Sequence, residues 1–167
     1  IMVTGASGQL GSEIRELSGR YGGYDFVFTD ITEFDLTDPE AAAAFIREFS
    51  PSWIINCAAY TAVDRAEDEE EQATLINGTG VQNIVHALDG TDCRLIHIST
   101  DYVFDGMSAT PYRETDQPSP ASAYGRSKLA GEKAAMRWPH TMLIRTSWLY
   151  SSYGNNFVKT ILSKAGS

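Results

Sequence analysis

The sequence predicts an α/β fold: a doubly wound parallel sheet with helices on both faces. Three observations carry that prediction. Short apolar segments alternate with longer stretches of helical spacing from one end to the other. Two of them, WIINCAA at 53–59 and LIHI at 95–98, are nearly continuous apolar runs, as strands covered on both faces should be. The first apolar segment leads directly into Gly5, Gly8 and Gly11, and a helix-periodic stretch follows.

Ile1 to Thr4 is the first strand. Leu10, Ile14, Leu17 and Tyr21 recur at helical spacing, and Gly22-Gly23 ends that helix. Tyr24 to Thr29 reads as the second strand, closed by Asp30. Thr37-Asp38-Pro39-Glu40 is a helix start, with a capping residue before a proline at the first position. Ala42, Phe45, Ile46 and Phe49 give that helix a buried face, and Ser50-Pro51 stops it. Trp53 to Ala58 is the third strand. Asp64 to Gln72 is acidic and opens a long helical stretch reaching Leu88, with Leu75, Ile76, Val81, Ile84, Val85 and Leu88 on its buried side. The acidic run reads as a solvated helix start suited to the helix dipole, with no catalytic role. Arg94 to Ile98 is the fourth strand. A polar loop containing Pro111, Pro118 and Pro120 leads into a helix around Tyr124. Met142 to Thr146 is the fifth strand, and Asn155 to Lys164 a final helix.

The 167 residues, 43% of them hydrophobic, are expected to form one domain with a full core. A net charge of −9 argues against a nucleic-acid partner, because nothing would neutralise phosphates. No apolar run is long enough to span a bilayer and no signal peptide is visible, so no membrane partner and a cytoplasmic location are expected. Cys57 and Cys93 lie in apolar, strand-like surroundings and read as buried free thiols. His86, His97 and His140 are scattered without ligand spacing. His86 and His97 read as packing or edge residues, and no metal site is expected. The chain opens on Ile1 inside an apolar segment, so native residues are expected before it.

Gly5, Gly8 and Gly11 form G-x-x-G-x-x-G between a strand and a helix. One glycine permits the tight turn, one admits a pyrophosphate to the backbone, and one lets the helix pack close to the sheet. The helix N-terminus adds N–H groups and a positive dipole end. That makes residues 1–167 an NAD(P)-binding, Rossmann-type domain; the alternative reading is a plain tight turn. Asp30 closes the second strand, nineteen residues after Gly11, where a carboxylate accepts from an adenosine ribose hydroxyl. It would repel a 2′-phosphate, and no Arg or Lys follows between Ile31 and Ile46, which favours NADH over NADPH. Asp30 as a strand-ending turn residue is the alternative.

Tyr124 and Lys128 stand four residues apart, on one face of a helix. An ammonium beside a phenol lowers its pKa, and a phenol so tuned can protonate a developing alkoxide. The fourth strand ends in Ser99-Thr100, either of whose hydroxyls can polarise a substrate carbonyl. The third strand ends in Cys57-Ala58-Ala59, small enough to admit a flat cofactor ring. In open α/β sheets these C-terminal ends border the ligand crevice.

The stretches VTGASGQLGSE, NCAAYTAVDRAE, STDYVFDG, YRETDQP, YGRSKLAGE, RTSWLY and GNNFVKTIL cover nearly the whole chain. Together they resemble the extended short-chain dehydrogenase/reductase superfamily, and within it the dTDP-4-dehydrorhamnose reductase family. The resemblance implies NADH- or NADPH-dependent reduction of the 4-keto group of a dTDP-6-deoxy-hexulose to give dTDP-L-rhamnose, a building block of bacterial surface polysaccharides. It implies Thr100 to orient the keto oxygen, Tyr124 as general acid, and Lys128 to lower the phenol pKa and hold the nicotinamide ribose. The cofactor would meet Gly5, Gly8, Gln9, Leu10, Gly11, Asp30, Asp35, Leu36, Ala58, Ala59 and Tyr60 as well as Tyr124 and Lys128. The dTDP-keto-sugar would meet Thr61, Val63, Thr100, Tyr102 and Trp148. A homodimer is a further expectation, as is a C-terminal substrate-binding portion lying outside these residues. Two other readings stand beside this one. An NAD-dependent nucleotide-sugar epimerase or 4,6-dehydratase has the same motifs, but dehydratases place Asp-Glu after the threonine where this chain has Asp101-Tyr102. A non-catalytic regulatory protein, similar to the regulatory subunit of methionine adenosyltransferase, is the other; intact Thr100, Tyr124 and Lys128 argue against it.

Overall fold

The structure, a computed structural model, describes residues 1–165. The last two residues of the expected 1–167 domain lie outside the described residues. Five parallel strands form one sheet: β1 (Met2–Thr4), β2 (Val27–Phe28), β3 (Trp53–Asn56), β4 (Arg94–Thr100) and β5 (Thr141–Thr146). Their order is β2-β1-β3-β4-β5. Met2 pairs with Val27 on one side and Ile54 on the other, and Ile54 with Leu95. Parallel connections are right-handed, so the reversal of direction at β1 sends α1 (Gln9–Ser18) to one face and α2 (Pro39–Phe49) to the other. With α2 lie α4 (Gly80–Ala87) and α5 (Ala123–Ala135), which pack on one another. The strand order therefore switches between β1 and β3, which is where ligands bind in such sheets.

The core lies under α2, α4 and α5. Met2, Ile46, Ile54, Ile84, Leu88 and Leu95 are fully or almost fully buried there. The α2 start matches its sequence signals: Asp38 accepts from the Glu40 and Ala41 amides at 2.9 and 3.0 Å, and Pro39 follows.

Three elements differ from expectation. The second strand keeps only Val27 and Phe28 of residues 24–29, because at the sheet edge it pairs with β1 alone. The first helix stops at Ser18, leaving Tyr21 exposed. The long helix is broken into a 3₁₀ turn (Arg65–Glu67), α3 (Glu70–Thr74), a π turn (Leu75–Thr79) and α4. The π turn rotates the helical register, and Leu75 faces solvent rather than the core. The final helix, α6, spans Phe157–Ala165. No described helix is long and apolar enough to cross a membrane.

Candidate active site

The glycine turn is shaped by contacts only glycine allows. Gly5 has φ +61°, and a Cβ on it would sit 2.7 Å from the Ala58 backbone, so the turns after β1 and β3 touch. A Cβ on Gly11 would overlap the Gly5 carbonyl. Gly8 caps α1 with no side-chain hydrogen bond, so the first helical amides are free for an anion. These turns and the loops after β2 and β4 enclose a cleft of about 770 Å³. Every site residue expected from sequence lines it except Tyr60.

Asp30 lines the cleft beside the glycine turn, accepting from the Ser7 amide at 2.9 Å and the Ile31 amide at 3.0 Å. Burial, the largest single influence, pushes its pKa up; hydrogen bonds from Ser7 and Ile31 and the Arg15 charge outweigh it and hold the carboxyl below its usual range. Asp35 borders the same end and accepts from the Thr37 amide and hydroxyl at 2.9 and 2.7 Å.

At the other end Thr100, Tyr124 and Lys128 converge on the cleft. The Tyr124 ring packs with Ala66, Ala73, Ala123, Tyr60 and Val63, and lies edge-on to Tyr102 with centroids 5.6 Å apart. Burial raises the phenol pKa, the Thr100 hydroxyl draws it back down, and Asp101 and Tyr102 push it further up. Lys128 is 3% exposed, and burial lowers its pKa to about 8 against the opposing pull of Glu132 and Cys57. Its Nζ donates to the Ile98 carbonyl at 2.7 Å, and its charge acts on Cys57 and His97. In this structure the phenol pKa is raised rather than lowered, with the Thr100 hydroxyl opposing the rise, while the buried ammonium finds its close acceptor in the β4 backbone.

Tyr60 is placed differently from the other expected residues. Its hydroxyl donates to Glu69 at 2.6 Å, and the Asn77 side chain holds its amide and carbonyl at 2.9 and 3.1 Å. Its ring supports Tyr124 rather than lining the cleft.

Sequence reasoning missed the buried polar shell. Glu132 is one helical turn beyond Lys128, accepts from Ser99 at 2.6 Å, and forms a two-point ion pair with Arg145 at 2.8 and 2.7 Å. Asn77 also donates to Ser127 at 2.9 Å. Thr4 donates to Asn56 at 2.7 Å, so the Asn56 amide donates to His97 Nδ1 at 3.1 Å. The only hint in sequence was the polar face of the Tyr124 helix. The acidic run is likewise not merely solvated: Glu67, Glu69 and Glu70 bond Ala123, Tyr60 and Arg126. Cys57 lines the cleft, with its thiol pushed up to about 12 by burial, and both cysteines are free. Among the described residues, no three His, Cys, Asp or Glu side chains gather as metal ligands would.

A family profile described as the RmlD substrate binding domain matches residues 1–167. The dTDP-4-dehydrorhamnose reductase of Escherichia coli (strain K12) is 44% identical over 169 residues, covering 99% of this chain and 56% of the relative. That of Mycobacterium tuberculosis (strain H37Rv) is 43% identical over 164 residues, covering 95% and 53%. The chain thus spans about half the length of the curated relatives it matches. Among solved structures, dTDP-4-dehydrorhamnose reductase from Bacillus anthracis in complex with NADP superposes with a TM-score of 0.94 at 40% identity, covering 99% of this chain and 59% of that one. UDP-glucose 4-epimerase from Brucella ovis in complex with NAD, at 22% identity and TM-score 0.77 over 86% of this chain and 50% of that one, shares the fold alone.

Proposed function

Since this chain belongs to the RmlD substrate binding domain family, we propose that it is the cofactor-binding and catalytic part of an NAD(P)H-dependent dTDP-4-dehydrorhamnose reductase. The reaction would convert the 4-keto group of the dTDP-linked sugar to the alcohol of dTDP-L-rhamnose. The observation that carries this reading is the meeting of Thr100, Tyr124 and Lys128 with the glycine turn in one cleft. The cleft fits a dinucleotide: a Cβ on Gly5 or Gly11 would collide with backbone, and the uncapped α1 start offers its amides.

A bound reduced nicotinamide supplies the hydride. The chain's own residues do the rest. Lys128 spends one of its three donors on Ile98 and keeps the others for ribose hydroxyls. Thr100 and Tyr124 grip the keto oxygen, and Tyr124 hands it a proton as the carbon is reduced. A raised pKa suits this direction, because the phenol must arrive protonated at neutral pH. The phenolate left behind is reprotonated from solvent. Thr61, Val63, Tyr102 and Trp148 would line the sugar-nucleotide end; Trp148 is 72% exposed at the cleft mouth, with φ +55°. An elimination would need a second acid–base group after Thr100. Tyr102 occupies that position, and Asp101 is held by Ser147 at 2.7 Å. The full-length protein should consume NADH or NADPH only when dTDP-4-dehydrorhamnose is added. No oxidation of either cofactor would sink the assignment.

Two further outcomes are expected. Asp30→Ala should weaken NADH binding more than NADPH binding, because a ribose acceptor is lost while a charge facing the 2′-phosphate is removed. Equal losses in a fluorescence titration would remove Asp30 from that role. Affinity for reduced cofactor should fall as pH rises through about 8, where Lys128 loses its proton. Glu132 favours the charged lysine, so Glu132→Gln should move that fall to lower pH. Dissociation constants measured across pH 6.5 to 9.5, a window of roughly ±1.5 units about the lysine, would show it; a profile unmoved by the substitution would separate Glu132 from Lys128.

A further inference from the structure

The acidic run at residues 67–70 has no part in the proposed chemistry, yet it crosses to the helix that carries the phenol. Glu67 Oε1 accepts from the Ala123 amide at 2.8 Å. Ala123 is the first residue of α5, immediately before Tyr124, and is fully buried. Its N–H is one of the helix-start donors with no partner inside the helix. Ser122 satisfies another, accepting from the Gly125 amide at 3.0 Å. On the other side of Tyr124, Arg126 makes a two-point ion pair with Glu70 at 2.8 and 2.9 Å and also donates to the Ala121 carbonyl at 3.3 Å. Between these contacts Ala66 and Ala73, both fully buried, pack against Ala123 and the Tyr124 ring. The first turn of α5 is thus gripped from outside at residues 123 and 126, and Arg126 ties it back to the Ala121 carbonyl.

We infer that Glu67, assisted by Glu70, is a positioning residue for Tyr124: its carboxylate fixes the first turn of α5 and so the direction of the phenol toward the cleft. This rests on the proposed reductase reading for its kinetic consequence, but the geometry is independent of it. Glu67 is not among the residues that line the cleft, and its carboxylate bonds the Ala123 amide. Its loss should leave cofactor binding alone and loosen only the proton donor.

The test compares Glu67→Ala with Glu67→Gln in the full-length protein. Glutamine keeps a carbonyl oxygen for the Ala123 amide; alanine does not. Glu67→Ala should lower kcat about fivefold or more, the consequence of losing one helix-start hydrogen bond at a residue adjoining the acid. KM for the reduced cofactor should stay within about twofold of wild type, and Glu67→Gln should recover most of kcat. Amide hydrogen exchange over residues 121–126 should quicken in Glu67→Ala and not in Glu67→Gln. Wild-type kcat in Glu67→Ala overturns the inference, as does an equal loss in both variants or a parallel rise in cofactor KM. If wild type oxidises neither cofactor, the reductase reading fails on its own. Hydrogen exchange then decides the positioning role: selective loosening in Glu67→Ala upholds it and unchanged exchange overturns it.

Discussion

Tyr124→Phe in the full-length protein is expected to abolish turnover while leaving the fold and cofactor binding intact. In the proposed reaction the phenol protonates the keto oxygen, and a positioned acid contributes roughly 10²- to 10⁴-fold. Phenylalanine keeps the ring, and the ring's packing against Ala66, Ala73, Ala123 and Val63 does not involve the hydroxyl. Thr100 keeps its bond to Asp101 at 3.1 Å, so removing the phenol oxygen strands no obvious partner. The glycine turn and Asp30 lie at the other end of the cleft. Cofactor titration should therefore match wild type while single-turnover oxidation slows by that factor. A kcat near wild type would remove Tyr124 from the role of acid, and a lost cofactor site would mean that the substitution disturbs more than proton transfer.

The second large effect is on stability. Gly131 lies on the buried face of α5, where the helix crosses the π turn. A Cβ there would overlap the Asn77 carbonyl and reach within 3.3 Å of His97 Nε2. In an open helix alanine would be favoured over glycine by about 1 kcal/mol. Here the obstacle is backbone, pinned because the Asn77 side chain is bonded to Tyr60 and Ser127. Overpacking of this kind costs about 1–3 kcal/mol, sometimes more, so Gly131→Ala should be net destabilising in urea melts. It should also reduce turnover, since α5 can move only by carrying Tyr124 and Lys128 with it. Gly78→Ala is the contrast: its Cβ would sit 3.1 Å from the Ala130 methyl, a side chain that can give a little. Equal stability of Gly131→Ala and wild type would show that the π turn yields more readily than its hydrogen bonds suggest.

The α5 helix also shows where sequence reading stops. Hydrophobic periodicity finds helices such as α2, whose buried residues Ala42 and Ile46 are apolar. The buried face of α5 instead mixes alanines with Tyr124, Ser127, Lys128, Gly131 and Glu132. Only the Tyr-x-x-x-Lys spacing marked it. Lys128 lines the cleft, and its close partner is a backbone carbonyl. Its spacing puts it one turn from the tyrosine, but burial sends the ammonium to the nearest strong acceptor, a carbonyl thirty residues away in β4. Glu69 similarly takes Tyr60 out of the cleft through a bond that no local pattern announces.

By itself the sequence determined what is local: the apolar runs that became β1, β3 and β4, the Asp38-Pro39 start of α2, the glycines whose missing Cβ atoms let turns touch, and the Tyr124/Lys128 spacing. These follow from backbone sterics and from periodicity over a few residues. Which polar groups meet across long separations is set by the assembled fold: Glu67 with Ala123, Asn77 with Tyr60, Glu132 with Ser99 and Arg145. The physical reason is that a buried donor or acceptor must find a partner wherever the packed helices and sheet bring one within reach. That choice belongs to the assembled fold, and it sets the charge on the lysine and the aim of the phenol.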